Sequence, residues 1–185
     1  MDFRLCLGVS VTGSEGLESS FSVSGQEVRG LLSAELILKC AEGFLETVPE
    51  PVFFFLELPM ENGGEGYQVY YLDNCTREVA GAIIKRYGQL LAEDGLCRFG
   101  FGSNRTEEEI YFTDYQEFSV YSLSPGKVRD MLKKLGCRET EEPSSLWDLM
   151  SDEEPGTLSG IEIEGETVFD IPENLKDAGM YQAQQ

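Results

Sequence analysis

The sequence contains no histidine, and this absence excludes more chemistry than any other feature of the chain. Without imidazole there is no Ser-His or Cys-His nucleophile pair, and the most frequent general base and metal ligand are also missing. No stretch reaches the 18 or more apolar residues that a transmembrane helix needs. We therefore expect no cofactor, no bound metal and no membrane partner.

Basic residues are scarce: 14 lysines and arginines stand against 34 acidic residues, which gives a formal net charge of −20. Such a surface repels nucleic acid, whereas it raises the rate of encounter with basic proteins. The pattern predicts a basic protein partner and no nucleic acid. A purely solubilising role for the acidic surface is the alternative.

Paired cysteine motifs are absent as well. The five cysteines are an odd number without a C-x-x-C pair, and most of them lie in periodic apolar segments. This usage is typical of free thiols in a reducing compartment, so we expect a cytoplasmic protein. The cysteines are Cys6, Cys40, Cys75, Cys97 and Cys137.

The chain is strongly apolar at Val52–Pro59, which reads Val-Phe-Phe-Phe-Leu-Glu-Leu-Pro. In a strand, Phe54 and Leu56 point to one face and Phe53 and Phe55 to the other. Both faces of such a strand must be buried. We predict an internal strand around which the domain is organised.

The other segments predict a single α+β domain over residues 1–185, with a mainly antiparallel or mixed sheet packed against three principal helices. Residues 1–137 form the expected core and residues 138–185 an acidic C-terminal extension packed on it. Alternation predicts an N-terminal hairpin of strands 3–11 and 21–24. Further strands are expected at 67–72, 96–102, 109–113 and 117–123. The helices are expected after Ser33, near residues 73–76 and after Ser124, with Gly95 as a left-handed cap of the second.

Acidic residues are concentrated near the C-terminus, since residues 138–177 hold 13 acidic and two basic residues. We expect a short helix within Ser144–Met150, an edge hairpin over Ile161–Phe169 and a last short helix over Pro172–Gly179. The candidate partner-binding residues of this region are Trp147, Asp148, Asp152, Glu153 and Glu154. Trp147, the single tryptophan, is either an interface anchor or a core residue, and its apolar neighbours favour burial.

Two further motifs have a structural and a functional interpretation. Glu57 and Asp73, at the ends of neighbouring strands, are the alternative candidates for a catalytic carboxylate pair. Phe99–Ser103 (Phe-Gly-Phe-Gly-Ser) resembles a ligand-binding loop but lacks the spacing of a phosphate-binding motif. We interpret it as a strand whose glycines either permit a bulge or let a neighbouring side chain cross. Aromatic residues on a less covered face of the predicted sheet are further candidates for a binding surface, although most of the aromatic residues on the strands are expected to pack in the core.

With its small size, its acidity and segments such as Val52–Pro59 and Ser145–Met150, the chain resembles the acidic cytoplasmic immunity proteins of bacterial polymorphic toxin systems. The resemblance implies a non-enzymatic protein that neutralises a basic toxin domain by direct binding. It assigns no functional residue. A carboxylate-dependent enzyme, a small-ligand-binding domain and a structural or regulatory subunit stay open as alternatives, as do the partner's identity and the oligomeric state.

Overall fold

A computed structural model describes residues 2–184, which fold as one α+β domain around a large mixed sheet. The strands are β1 (Val9–Ser10), β2 (Ser20–Ser24), β3 (Glu27–Leu31), β4 (Val52–Pro59), β5 (Tyr67–Cys75), β6 (Arg98–Ser103), β7 (Glu109–Phe112), β8 (Glu117–Tyr121), β9 (Arg138–Glu139), β10 (Thr157–Leu158) and β11 (Tyr181–Gln182). The α-helices are α1 (Ala34–Leu45), α2 (Arg77–Glu93), α3 (Pro125–Lys134) and the four-residue α4 (Ile171–Asn174). Short 3-10 helices cover Asp114–Gln116, Leu146–Leu149 and Val168–Asp170.

The main sheet has nine strands in the order β11-β5-β4-β6-β7-β8-β3-β2-β9. Neighbouring strands are antiparallel except for the parallel pair β2 and β9. A separate two-stranded sheet joins β1 to β10. The α+β class and the mixed sheet expected from the sequence are therefore confirmed, whereas β3 was not anticipated.

The core lies between one face of the sheet and a helix layer. On β4, Phe54 and Leu56 point into this layer and are fully buried. The helices lie side by side in the order α2, α1, α3. Leu38 of α1 packs against Gly88 of α2, and Met131 of α3 packs against Gly43 of α1. These glycines let the helix axes approach closely. The prediction of an internal, apolar β4 is confirmed.

The N-terminal segment corrects one expectation, since only Val9–Ser10 forms a strand and it pairs with β10 instead of β2. The backbone nitrogens of Arg4, Cys6 and Leu7 donate to side chains, not to a neighbouring strand. Arg4 donates to Ser33 Oγ at 2.8 Å, and Cys6 donates to Gln116 Oε1 at 2.8 Å. These bonds replace the ladder that alternation predicted.

Gly95 does not cap α2 in the left-handed conformation; Asp94 ends the helix in extended conformation. Gly95 is required for close packing, because a Cβ there would lie 2.0 Å from the carbonyl oxygen of Gly8. Its backbone nitrogen donates to Ser159 O at 2.9 Å. Three chain segments thus meet at this glycine.

The C-terminal segment, residues 138–184, supplies both edges of the nine-stranded sheet, β9 at one side and β11 at the other. Between them it pairs with β1 and contributes three fully buried side chains, Leu146, Val168 and Ile171. The expected hairpin over Ile161–Phe169 is reduced to one bridge, between Ile163 and Glu166. Burial of its apolar residues fixes this segment against the domain despite its charge.

All five cysteines are buried free thiols. Burial, and secondarily the charge of Glu93, raises the pKa of the Cys6 thiol to about 12. Thiolate, the reactive form, is therefore scarce at neutral pH. Within residues 2–184, no helix is both long and apolar enough to cross a membrane.

The first prediction concerns the core. Phe54 is 1% exposed and its ring lies 5.3 Å from that of Phe101, so Phe54→Ala leaves a cavity. We expect it to lower the free energy of unfolding by about 3 to 5 kcal/mol, measured by denaturant titration. Leu123→Ala, at a half-exposed position, is the control and should change it by less than about 0.5 kcal/mol. Equal effects of the two substitutions would contradict this description of the core.

Candidate functional site

The face of the sheet opposite the helix layer, called here the open face, carries a continuous row of side chains. Residues paired directly across antiparallel strands point to the same face, so the pairing register defines the row. In strand order it comprises Tyr181, Tyr71, Phe55, Gly100, Tyr111, Ser119, Arg29 and Ser22. One half of the row is aromatic and the other half is small or charged.

The aromatic half is closely packed. Ring centroids lie 6.3 Å apart for Tyr181 and Tyr71, 6.0 Å for Tyr71 and Phe55, and 5.3 Å for Phe55 and Tyr111. Such separations are typical of favourable aromatic pairs. Tyr181 remains half exposed. The edge of this aromatic cluster is therefore available to a partner.

The two glycines of β6 make the cluster possible. A Cβ at Gly100 would lie 2.5 Å from Phe55 Cε1, and one at Gly102 would lie 2.3 Å from Phe53 Cζ. The phenyl rings occupy the space that side chains of β6 would take. Of the two roles expected for the glycines of the Phe-Gly-Phe-Gly-Ser motif, a bulge or the crossing of a neighbouring side chain, the structure shows the crossing.

A polar network borders the cluster. Arg98 donates to both oxygens of Asp114, at 2.9 and 2.7 Å, and its guanidinium carbon lies 4.0 Å from the ring centroid of Tyr67. The hydrogen bond to Asp114 raises the pKa of Arg98. Tyr111 donates its hydroxyl proton to Glu57 Oε2 at 2.5 Å, and burial together with this bond raises the pKa of Tyr111. On the open face, the guanidinium group of Arg98 is therefore held between an aromatic ring and a carboxylate of the same chain.

A depression of about 450 Å³ lies at the polar half of the row. Its floor contains Ser119 and Ser22, whose small side chains flank Arg29. Further lining residues are Glu27, Gly30, Tyr111, Thr113, Glu117, Phe118, Pro143, Ser144 and Ser145. The depression is thus bounded by the sheet and by the C-terminal segment.

The expected burial of Trp147 is wrong, because its side chain is 51% exposed. The indole meets the ring of Tyr115 edge-on, with centroids 4.5 Å apart. Its backbone nitrogen donates to Ser145 Oγ at 3.2 Å, and Ser145 Oγ donates to Glu117 Oε1 at 2.5 Å. Ser145 and Glu117 line the depression, so Trp147 is attached to its border.

Tyr115 is held in an uncommon conformation. Tyr115 and Gln116 both have positive φ, 57° and 63°, which costs about 1 to 3 kcal/mol for each non-glycine residue. The Gln116 side chain offsets this cost, since its amide donates to Leu32 O at 2.8 Å and its oxygen accepts from Cys6 N. This turn brings the Tyr115 ring beneath Trp147.

The four predicted partner-binding acids are all exposed and lie close to Trp147 in sequence. Asp148 belongs to the 3-10 helix of Trp147, and Asp152, Glu153 and Glu154 lie in the loop that follows. The structure therefore presents Trp147 and these carboxylates on one exposed stretch. We call residues 147–154 the acidic loop.

The alternative carboxylate pair, Glu57 and Asp73, is not brought together. Glu57 pairs with Val69, four residues before Asp73, so roughly 13 Å of strand separates them. Glycosidase carboxylates lie within about 5 to 9.5 Å. Asp73 lies beyond this regular stretch, at the bulge beside the left-handed Asn74, and accepts hydrogen bonds from Asn104 and Tyr181. This geometry does not form a catalytic pair.

Sequence reasoning missed the depression because it missed β3, which supplies Glu27 and Arg29. The signal was an alternation of Ser20, Ser22 and Ser24 with apolar residues, followed after Gly25 by a second short run. A two-residue turn between alternating strands predicts a hairpin. Among residues 2–184, no group of three or more His, Cys, Asp or Glu is arranged to hold a metal ion.

Comparisons with known proteins found no match to any family model, curated protein or solved structure. The function must therefore be inferred from this surface itself.

The second prediction tests the packing of the aromatic cluster. Gly100→Ala places a methyl group 2.5 Å from the Phe55 ring and 2.1 Å from Ile110 O, so we expect a loss of about 2 kcal/mol in the free energy of unfolding. Gly81→Ala in α2 meets no atom within 4 Å and should instead add about 0.5 to 1 kcal/mol. Denaturant titration measures both. Changes of the same sign would refute the proposed crowding over Gly100.

Proposed function

We propose that this protein is a non-enzymatic binding protein for a basic protein partner, which contacts the acidic loop and the adjoining part of the open face. The observation that carries the proposal is the position of an exposed tryptophan within the acidic loop, attached to the border of a partly exposed sheet face. Exposed aromatic residues surrounded by charge are characteristic of protein interfaces. The resemblance to immunity proteins supports a basic toxin domain as the partner.

Charge favours this partner class over others. The whole chain has a formal net charge of −20, and four of its exposed carboxylates lie in the acidic loop beside Trp147. Nucleic acid and anionic membranes would be repelled by this surface, whereas a basic protein would be attracted from a distance. Because exposed charges act mainly on diffusional encounter, they are expected to accelerate association.

Trp147 is the proposed anchor. A half-exposed indole has apolar area still to bury, and its contact with Tyr115 already restricts the ring. A restricted side chain loses less conformational entropy when a partner covers it. The strained turn at Tyr115 and Gln116 is consistent with this role, since strain of this kind is concentrated at functional sites.

An enzymatic function is less well supported. The separation of Glu57 from Asp73 removes the carboxylate pair that the sequence suggested, and the sequence offers no histidine. The polar network around Arg98 is satisfied internally, which suits the support of a surface better than catalysis. We propose further that the protein acts in the cytoplasm, where buried free thiols are stable.

The third prediction concerns binding kinetics. Affinity capture, together with the basic proteins encoded by neighbouring genes, supplies candidate partners. A purified partner should then associate at about 10⁸ M⁻¹s⁻¹ at low salt, falling towards 10⁵ to 10⁶ M⁻¹s⁻¹ as salt screens the charges. Neutralising Asp148, Asp152, Glu153 and Glu154 as amides should lower the association rate, measured by stopped-flow fluorescence of the single tryptophan.

The matched control neutralises four exposed acids of the helix layer, and so makes the same change in net charge. These residues are Glu42, Glu46, Glu78 and Asp130. We expect a much smaller effect of this variant on the association rate. Trp147→Ala removes the fluorophore, so its binding is measured by surface plasmon resonance. It should weaken binding about 30-fold by accelerating dissociation, as loss of an interface anchor does. Equal effects of the two neutralised variants would show that the acidic loop is only a solubilising surface.

A further inference from the structure

We propose that the depression on the open face binds an arginine side chain of the partner, and this inference rests on the proposed function. The guanidinium group would lie over Ser119, between the ring of Tyr111 and the carboxylate of Glu117. The depression is thereby a specificity site, distinct from the acidic loop that accelerates encounter.

The depression has room for one long side chain. Its volume of about 450 Å³ results from the serines on either side of Arg29, which leave the sheet surface low between Tyr111 and β2. The stretch Pro143–Ser145 forms a wall, held where Ser144 N donates to Ser20 Oγ at 3.2 Å. A side chain that entered would lose water on several sides.

The same face already shows how it binds a guanidinium group. Arg98 lies 4.0 Å over the ring of Tyr67 and forms a two-bond contact with Asp114. A planar cation that stacks on an aromatic ring and pairs with a carboxylate combines cation–π attraction with charge-assisted hydrogen bonds. The depression contains a second aromatic ring and a second carboxylate, those of Tyr111 and Glu117.

Tyr111 and Glu117 are the second pair. Tyr111 is directly opposite Ser119 on the neighbouring strand, and Glu117 is two residues from Ser119 on the same face. These diagonal neighbours are within about 8 Å of each other, a gap that a guanidinium group can span. Glu117 is fixed by the hydrogen bond from Ser145, so its orientation is set before a ligand arrives.

Arginine fits better than lysine or an anionic ligand. A planar guanidinium can contact the ring and the carboxylate together, whereas an ammonium group is compact and strongly hydrated. The resident cation of the depression, Arg29, is occupied by Glu27 at 2.6 Å, so it offers little attraction to an anion. The net charge of the chain opposes an anion further.

The fourth prediction uses N-acetyl-arginine amide as the probe, titrated into the full-length protein and followed by amide chemical shifts in NMR. We expect saturable shifts around Ser119, Glu117 and Ser145, with a dissociation constant of about 1 mM, as suits a ligand of this size. N-acetyl-citrulline amide, the neutral isostere, should bind about tenfold more weakly, because its urea group cannot form the ion pair. Equal binding of the two probes, or shifts confined to other surfaces, would overturn the proposal.

Variants test the residues. Glu117→Gln should weaken binding of the arginine probe about fivefold, and Ser119→Val, which fills the floor with a residue suited to strands, should abolish it. Arg29→Gln should instead strengthen binding, because it removes the resident cation and frees Glu27. Glu173→Gln on α4 makes the same charge change as Glu117→Gln outside the depression and should have no effect.

Ser119→Val keeps every charge, so it separates loss of the depression from a general loss of electrostatic attraction. Thermal denaturation identifies any variant that fails to fold, and Ser119→Val and Arg29→Gln remain informative if Glu117→Gln unfolds. An Arg29→Gln variant that binds the arginine probe more weakly would contradict the proposed arrangement. Failure to find a protein partner would refute the proposed function but leave the result of these titrations standing. A basic partner that binds without placing an arginine in the depression would overturn this inference but leave the proposed function standing.

Discussion

The structure depends on the need to bury both faces of β4. Its apolar side chains alternate between the two sides of the sheet, and a single helix layer can cover only one of them. The other side is covered by neighbouring aromatic side chains, which is possible because Gly100 and Gly102 leave room for the rings of Phe55 and Phe53. The sheet therefore has one face inside the core and one made of packed rings whose edges meet solvent.

This arrangement divides the open face into regions with different properties. Aromatic rings cover the strands around β4, whereas small and charged residues leave a depression over β8, β3 and β2. The C-terminal segment completes the surface, because it supplies both sheet edges and places the acidic loop beside the depression. A segment that carries −11 of the net charge of −20 thus has a structural role in its buried residues and a proposed binding role in its exposed ones.

Local patterns predicted β4, the β6 glycines and most of the sheet strands, because alternation and glycine spacing act over a few residues. They failed where distant groups decide the outcome. Residues 4–7 resemble a strand, yet backbone nitrogens of this stretch donate to distant side chains, among them Gln116, which lies 110 positions from Cys6. The exposure of Trp147 and the separation of Glu57 from Asp73 depend likewise on long-range placement and on strand register, which spacing alone does not reveal.

The most direct test of the central claim is hydroxyl-radical footprinting of the protein with and without its basic partner, read by mass spectrometry. The account predicts that the partner protects Trp147, Tyr121 and Tyr111, which belong to the acidic loop and the open face. Val79 and Leu38 on the helix layer should be oxidised equally in both states. Protection confined to the helix layer, with Trp147 and Tyr111 unchanged, would contradict the claim that the open face and the acidic loop bind the partner.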